Sequence, residues 1–273
     1  MHAFGEVAER LRRSTVQVFS GGGGSGVIWG AEGLIVTNAH VVRSGRVEVE
    51  LWDGRRFEAR TASHDPRRDL AALRVPASGL PAAAAGDSAA LRPGELAIAI
   101  GSPLGFAGAL TTGVVHAVGR VAGMGRQSWV CATVRLAPGN SGGPLANASG
   151  QVIGINTAVV NGLGLAVPSR DVGEFLRRGA RPRLGVVLRP VAVQGGRLGL
   201  LILEVERGGA ADQASLRIGD VLVGVNGRRF EAMDDLGDVL DSASGSIPLL
   251  FLRGDHGRVR EAVARVEARA EAA

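Results

Sequence analysis

Short apolar runs, broken at close intervals by turn signals, limit this chain more than any other feature. Thr15–Phe19, Val27–Trp29, Leu34–Thr37, Val47–Leu51, Phe57–Ser63 and Ala71–Val75 make one series. Leu96–Ile100, Gly113–Val118, Trp129–Thr133, Pro144–Leu145, Gln151–Thr157 and Gly164–Val167 make a second. Strands this short, with turn signals between them, argue for an all-β barrel or sandwich. Trp52-Asp53-Gly54-Arg55 carries an Asp-Gly hairpin signal, and Gly21–Gly24 reads as a flexible connection. A helix is expected over Glu6–Arg13, where Phe4, Val7 and Leu11 fall at helical spacing. A closing helix is expected over Ser169–Arg178, with Ser169 as its cap and Val172, Phe175 and Leu176 on one face.

A polar stretch bearing Gly179 and Pro182 follows, and then the pattern restarts. Leu184–Leu188 and Leu200–Glu206 read as strands, Ala210–Leu216 as a short helix, and Ile218–Val225 as a strand entering the Asn226-Gly227 turn. Met233–Ser242 reads as an amphipathic helix, and Ile247–Arg253 and Arg258–Val263 as closing strands. The expected division is an N-terminal segment 1–14, a first domain 15–178, a linker 179–182, a second domain 183–267 and a tail 268–273.

Composition excludes several classes. With 45% hydrophobic and 21% charged residues, the chain is globular, and long disorder is not expected. Tyrosine is absent, so the cores must come from Val, Leu, Ile and Ala. The formal charge is +5, carried by arginines interleaved with Glu and Asp; this is a solvated face, and no nucleic-acid partner is expected. Cys131 is the only cysteine, so no intrachain disulfide forms, and its apolar neighbours make it a buried small hydrophobe. No Cys/His cluster has metal-ligand spacing, no transmembrane run occurs, and no apolar core of signal-peptide length follows Met1–Arg13.

The chemistry concentrates in three places. Gly139-Asn140-Ser141-Gly142-Gly143-Pro144-Leu145 sets one serine in a tight, glycine-bounded turn that can aim backbone N–H groups at a single point. Thr37-Asn38-Ala39-His40-Val41-Val42 puts a histidine at the end of an apolar run, and Arg68-Asp69-Leu70-Ala71 puts an aspartate at the head of another. Taken singly, His40 reads as a core histidine, Asp69 as a turn residue and Ser141 as part of a structural loop. Together they occur in the order His, Asp, Ser, which belongs to double-barrel serine hydrolases. A serine hydroxyl needs a base near working pH, and the imidazole needs an acceptor on its other nitrogen.

These motifs resemble the HtrA (DegP/DegS-type) serine proteases, together with Gly24-Ser25-Gly26-Val27-Ile28, Gly154-Ile155-Asn156-Thr157 and Pro138-Gly139. The resemblance implies a mostly β protein: a chymotrypsin-like double β-barrel of two six-stranded barrels followed by a small α+β PDZ domain. It implies that Ser141 is the nucleophile, His40 the general base and acid, Asp69 the orienting carboxylate, and the N–H groups of Gly139 and Ser141 the oxyanion hole. It assigns substrate-backbone pairing and the specificity pocket to Gly162–Pro168, with Leu163, Gly164 and Leu165 as contacts, hence a loose aliphatic preference. Arg183-Leu184-Gly185-Val186 matches a PDZ carboxylate-binding loop, so Leu184, Gly185 and Val186 are expected at a peptide C-terminus. Implied partners are unfolded or misfolded proteins and peptide C-termini, with trimer contacts through the N-terminal segment. No metal or cofactor is implied, and the implied compartment is extracytoplasmic.

The sequence departs from the family at Thr133 and Ala137, where Asp and often Asn stand, just ahead of the serine turn. That departure keeps a second reading open: a PDZ-based peptide sensor or holdase with marginal proteolysis. A third reading is an inactive double barrel, against which the complete His, Asp and Ser set argues.

Overall fold

The computed structural model describes residues 2–43, 45–178, 184–243, 245–254 and 258–266. The expected linker 179–182 and tail 268–273 lie outside them. The chain divides into two compact units, 1–179 and 180–273.

In the first unit, helix α1 (His2–Arg13) precedes β1 (Thr15–Phe19), β2 (Gly23–Gly30), β3 (Leu34–Thr37), β4 (Val47–Glu50), β5 (Arg56–Asp65) and β6 (Leu70–Arg74). These strands close a barrel in the order β1-β2-β3-β6-β5-β4. A second barrel follows from β7 (Leu96–Gly101), β8 (Ala109–Arg120), β9 (Ser128–Ala132), β10 (Pro144–Ala146), β11 (Val152–Val160) and β12 (Leu163–Pro168), closed in the order β10-β11-β12-β9-β8-β7. Helix α2 (Ser169–Arg178) ends the unit.

Many of these strands read as continuous apolar runs because both faces are buried. Within β3, Ile35 enters the core of the first barrel with Val18, Val49 and Leu73. Its neighbour Val36 turns outward, into a shared core with Ile98, Ile100, Ile155 and Leu165 of the second barrel. In β7, Ala97 and Ala99 fill the second barrel beside Val130 and Ile153, while Ile98 and Ile100 join that shared core. Alternation between two dry faces leaves no polar beat to read in the sequence. Leu11 of α1 and Phe175 of α2 pack into the shared core.

Several local expectations change. The Gly21–Gly24 connection is shorter than expected, because β2 already begins at Gly23. Ser169 is the first residue of α2, and its hydroxyl donates to the Gly86 carbonyl at 2.7 Å instead of capping the helix. The cap comes from elsewhere in the chain: Ser88 Oγ accepts the Arg170 N–H at 3.1 Å. The strand expected over Gln151–Thr157 runs on to Val160, so Asn156–Gly162 forms no separate loop. That segment is the outer part of β11 closed by Asn161 and Gly162, both at positive φ, as a two-residue hairpin turn requires.

The second unit holds β13 (Val186–Val193), β14 (Arg197–Val205), a short α3 (Ala210–Gln213), β15 (Val221–Val225), β16 (Arg228–Arg229), α4 (Asp235–Ser242), β17 (Gly245–Leu252) and β18 (Val259–Val266). The sheet order is β13-β14-β15-β17-β18, with β16 pairing β15. Its own core gathers Leu184, Ile202, Leu222, Leu236, Leu249 and Phe251.

Candidate active site

His40 sits in a single 3-10 turn, Ala39–Val41, immediately after β3. Asp69 ends the turn between β5 and β6 and has φ 54°, a left-handed conformation that Asp and Asn tolerate best. Asp65 builds that turn, because its Oδ1 accepts the N–H groups of Arg67 and Arg68. Burial pushes the Asp65 carboxyl above its ordinary value, opposed by those N–H groups and by the charges of Arg68 and Arg67.

The aspartate grips the histidine twice. Its Oδ1 accepts the His40 backbone N–H at 2.9 Å, and its Oδ2 lies 2.6 Å from His40 Nδ1. A carboxylate can only accept here, so Nδ1 carries the proton and Nε2 is left as the basic nitrogen.

The serine turn is held by the other barrel. Ser25 of β2 gives its N–H to the Ser141 carbonyl at 2.8 Å and its hydroxyl to the Gly139 carbonyl at 2.7 Å. Gly142 must be glycine: it has φ 87°, and a Cβ there would collide with Ser25 O and Thr37 Oγ1. Asn140 closes the turn, its N–H and Nδ2 both donating to the Ala137 carbonyl. Thr133, at the first departure from the family pattern, anchors the segment to β8 by accepting the Val114 N–H on Oγ1 at 2.9 Å. Among the described residues, the N–H groups of Gly139 and Ser141 donate to nothing, so both remain available as hydrogen-bond donors.

One expected contact is not made. Ser141 Oγ donates to the Thr157 carbonyl at 3.2 Å, and among the described residues it makes no hydrogen bond to His40. The groups still share one network. Buried Asn38 donates from Nδ2 to the Asp69 carbonyl at 2.8 Å and to Thr157 Oγ1 at 3.0 Å. Asn38 thus fixes the strained Asp69 and ties it to the residue on which the serine hydroxyl rests. Catalytic hydrogen bonds are often long or unmade without substrate and tighten in the complex.

Ser25, Asn38 and Thr157 stood inside the quoted motifs, but sequence reasoning gave them no role. Asn38→Ala removes both bridging bonds, leaves polar groups unpaired and is expected to cost about 1–3 kcal/mol of stability. It is also expected to lower kcat more than it changes KM. Thermal unfolding and steady-state kinetics on one peptide substrate check both; a change confined to KM assigns Asn38 to binding instead.

The segment 162–168 divides in two. Across Gly164–Ala166, β12 pairs with β11 on one side and β9 on the other, so its backbone has no free edge for substrate there. The free edge lies on β11, whose pairing with β10 stops at Ile155; among the described residues no strand pairs Thr157–Val160 on that side, next to Ser141. Leu163 is half-buried, whereas Leu165 is sealed in the shared core. A Cβ at Gly164 would meet Val134 at 2.7 Å and Leu136 at 3.1 Å, so the local wall is apolar. Cys131 is buried, and burial raises its thiol pKa, which suits an inert core residue.

In the second unit, Leu184 and Gly185 form the connection into β13. Their carbonyls are held by the N–H groups of Ala211 and Glu206, each at 2.8 Å. Gly185 has φ 73°, and among the described residues its N–H donates to nothing. Val186 opens β13, an edge strand.

The trypsin-like peptidase domain family matches residues 24–155, and the PDZ domain family matches 201–253. A probable periplasmic serine endoprotease DegP-like protein of Chlamydia trachomatis is 37% identical over 235 residues, 78% of this chain and 47% of its own length. The chain thus spans about half the length of the first curated relatives it matches. The putative serine protease HhoA of Synechocystis is 34% identical over 268 residues, 86% of this chain and 68% of its own length. Among solved structures, the HtrA-type protease AlgW with tripeptide is 28% identical, with a TM-score of 0.65 and coverage of 98% of this chain and 97% of that one. The serine endoprotease from Yersinia pestis is 26% identical, with a TM-score of 0.62 and 97% coverage of both chains. Two closed barrels with a peptidase-family match, a PDZ match after them and a relative aligned over two thirds of its length agree: the chain belongs to the HtrA-type serine proteases that carry a PDZ domain.

Proposed function

We propose that this chain is a serine endopeptidase that cleaves extended segments of unfolded or misfolded proteins through an acyl-enzyme. Residues 15–178 supply the catalysis, and 183–267 capture peptide C-termini. Ser141 rotates from the Thr157 carbonyl toward His40 and attacks the scissile carbonyl carbon. Its proton passes to His40 Nε2, while Asp69 holds Nδ1–H and stabilises the imidazolium. The N–H groups of Gly139 and Ser141 receive the oxyanion. His40 then protonates the leaving amine, and water deacylates the ester by the same path in reverse.

Substrate backbone adds to the Thr157–Val160 edge of β11. Leu163 and Gly164, with Val134 and Leu136 beside them, favour aliphatic side chains, and Leu165 backs that wall from the core. An apolar wall discriminates by only ~1–3 kcal/mol per methylene, so selectivity is loose. The periplasmic setting in the name of the Chlamydia relatives supports an extracytoplasmic place of work. The family resemblance supports a homotrimer through the N-terminal segment.

The observation that carries this reading is the double grip of Asp69 on His40, coupled through Asn38 to the residue beside Ser141. A fluorophosphonate probe tests it. The expected result is stable covalent modification at Ser141, located by peptide mass. The resting of the Ser141 hydroxyl on Thr157 O favours the second reading, a peptide sensor or holdase. Absence of labelling with peptide binding intact selects that reading.

A further inference from the structure

β13 is the edge strand of the second unit's sheet, and its open side is where a peptide C-terminus adds as a strand. The hydrogen bonds of the neighbouring β14 fix which of its residues face that side. Ile202 of β14 bonds toward β15: its N–H donates to the Asp220 carbonyl, and its carbonyl accepts the Gly219 N–H, both at 2.9 Å. By the twofold repeat of a strand, Leu200 also faces β15, so Leu201 and Gly199 face β13. Their partners are Arg189 and Val191. Val186, Leu188, Pro190 and Ala192 therefore turn their backbone groups to the open edge. Pro190, opposite Leu200, has no N–H to offer, and an edge-facing position is where a strand tolerates proline.

We propose that Pro190 limits this edge to the last few residues of a bound C-terminus. This rests on the peptide-capture reading above. With the terminal carboxylate at Leu184-Gly185, the last residue lies opposite Val186 and the third from last opposite Leu188, where both backbone groups are available. The fifth from last lies opposite Pro190, where its carbonyl finds no donor and meets the pyrrolidine ring. The partner is thus any exposed polypeptide end with a suitable terminal triplet, with little regard to what precedes it.

Calorimetry on the full chain, carrying Ser141→Ala to prevent cleavage, tests this with acetylated tri-, penta- and decapeptides that share one apolar C-terminal triplet. The three are expected to bind within about twofold of one another. In Pro190→Ala the decapeptide is expected to gain about threefold to tenfold over the tripeptide, as one restored backbone hydrogen bond allows. A decapeptide that already binds more than about tenfold tighter than the tripeptide with Pro190 in place overturns the length limit. A tripeptide that does not bind, or that binds equally well as its C-terminal amide, overturns the peptide-capture reading itself.

Discussion

Ser141→Ala is expected to abolish casein turnover, with a loss in kcat on the order of a millionfold, because nucleophile and base act as a unit. The variant keeps the fold. The serine turn is held by Ser25, Asn140 and the glycines, and none of those contacts uses the Ser141 hydroxyl. What is lost is a single hydroxyl donor to the Thr157 carbonyl at 3.2 Å, worth about 1 kcal/mol at most. Casein cleavage measured beside a thermal melt separates the two effects. Proteolysis that survives with an unchanged melt assigns hydrolysis to another group and ends the triad reading.

The barrels were legible because the chain spells its strands as short apolar runs, and the two series of runs became the two closed barrels. Strand ends were less legible. β8 reaches Ala109–Arg120 where the sequence suggested only its middle, since exposed residues such as Thr112 and Arg120 lie at its ends. The site was legible as residue types in order, yet its tuning was not. Ser25 reaches Gly139 across 114 positions and Asn38 reaches Thr157 across 119. Ser88 caps a helix 82 residues away, and that displaced the local expectation for Ser169. Such contacts join separate strands, and no periodicity encodes them. The family resemblance assigned backbone pairing with substrate to Gly162–Pro168, but barrel closure pairs the middle of that segment on both sides and leaves the open edge on β11.

Asp69→Asn is expected to lower kcat about ten-thousandfold with KM nearly unchanged. The substitution is close to silent for the fold. Asn tolerates the positive φ of 54° as Asp does, and the Asn38 amide still finds the backbone carbonyl at position 69. The chemistry differs because the native carboxylate accepts twice, from the His40 N–H and from Nδ1–H. An amide has one oxygen. If that oxygen keeps the backbone N–H, the amide NH2 faces Nδ1 and forces the ring proton onto Nε2. The nitrogen that must take the Ser141 proton is then already a donor. If the amide flips, it sets NH2 against the backbone N–H and loses the bond that seats the 3-10 turn. Either way, the proton acceptor is missing or misplaced. Asn38→Ala instead leaves the carboxylate in place and loosens it, so its loss in kcat is expected to be far smaller. A pair of variants with losses in that order supports a tautomer-fixing carboxylate held by a separate positioning residue. An Asp69→Asn enzyme within about tenfold of the parent removes Asp69 from the proton path.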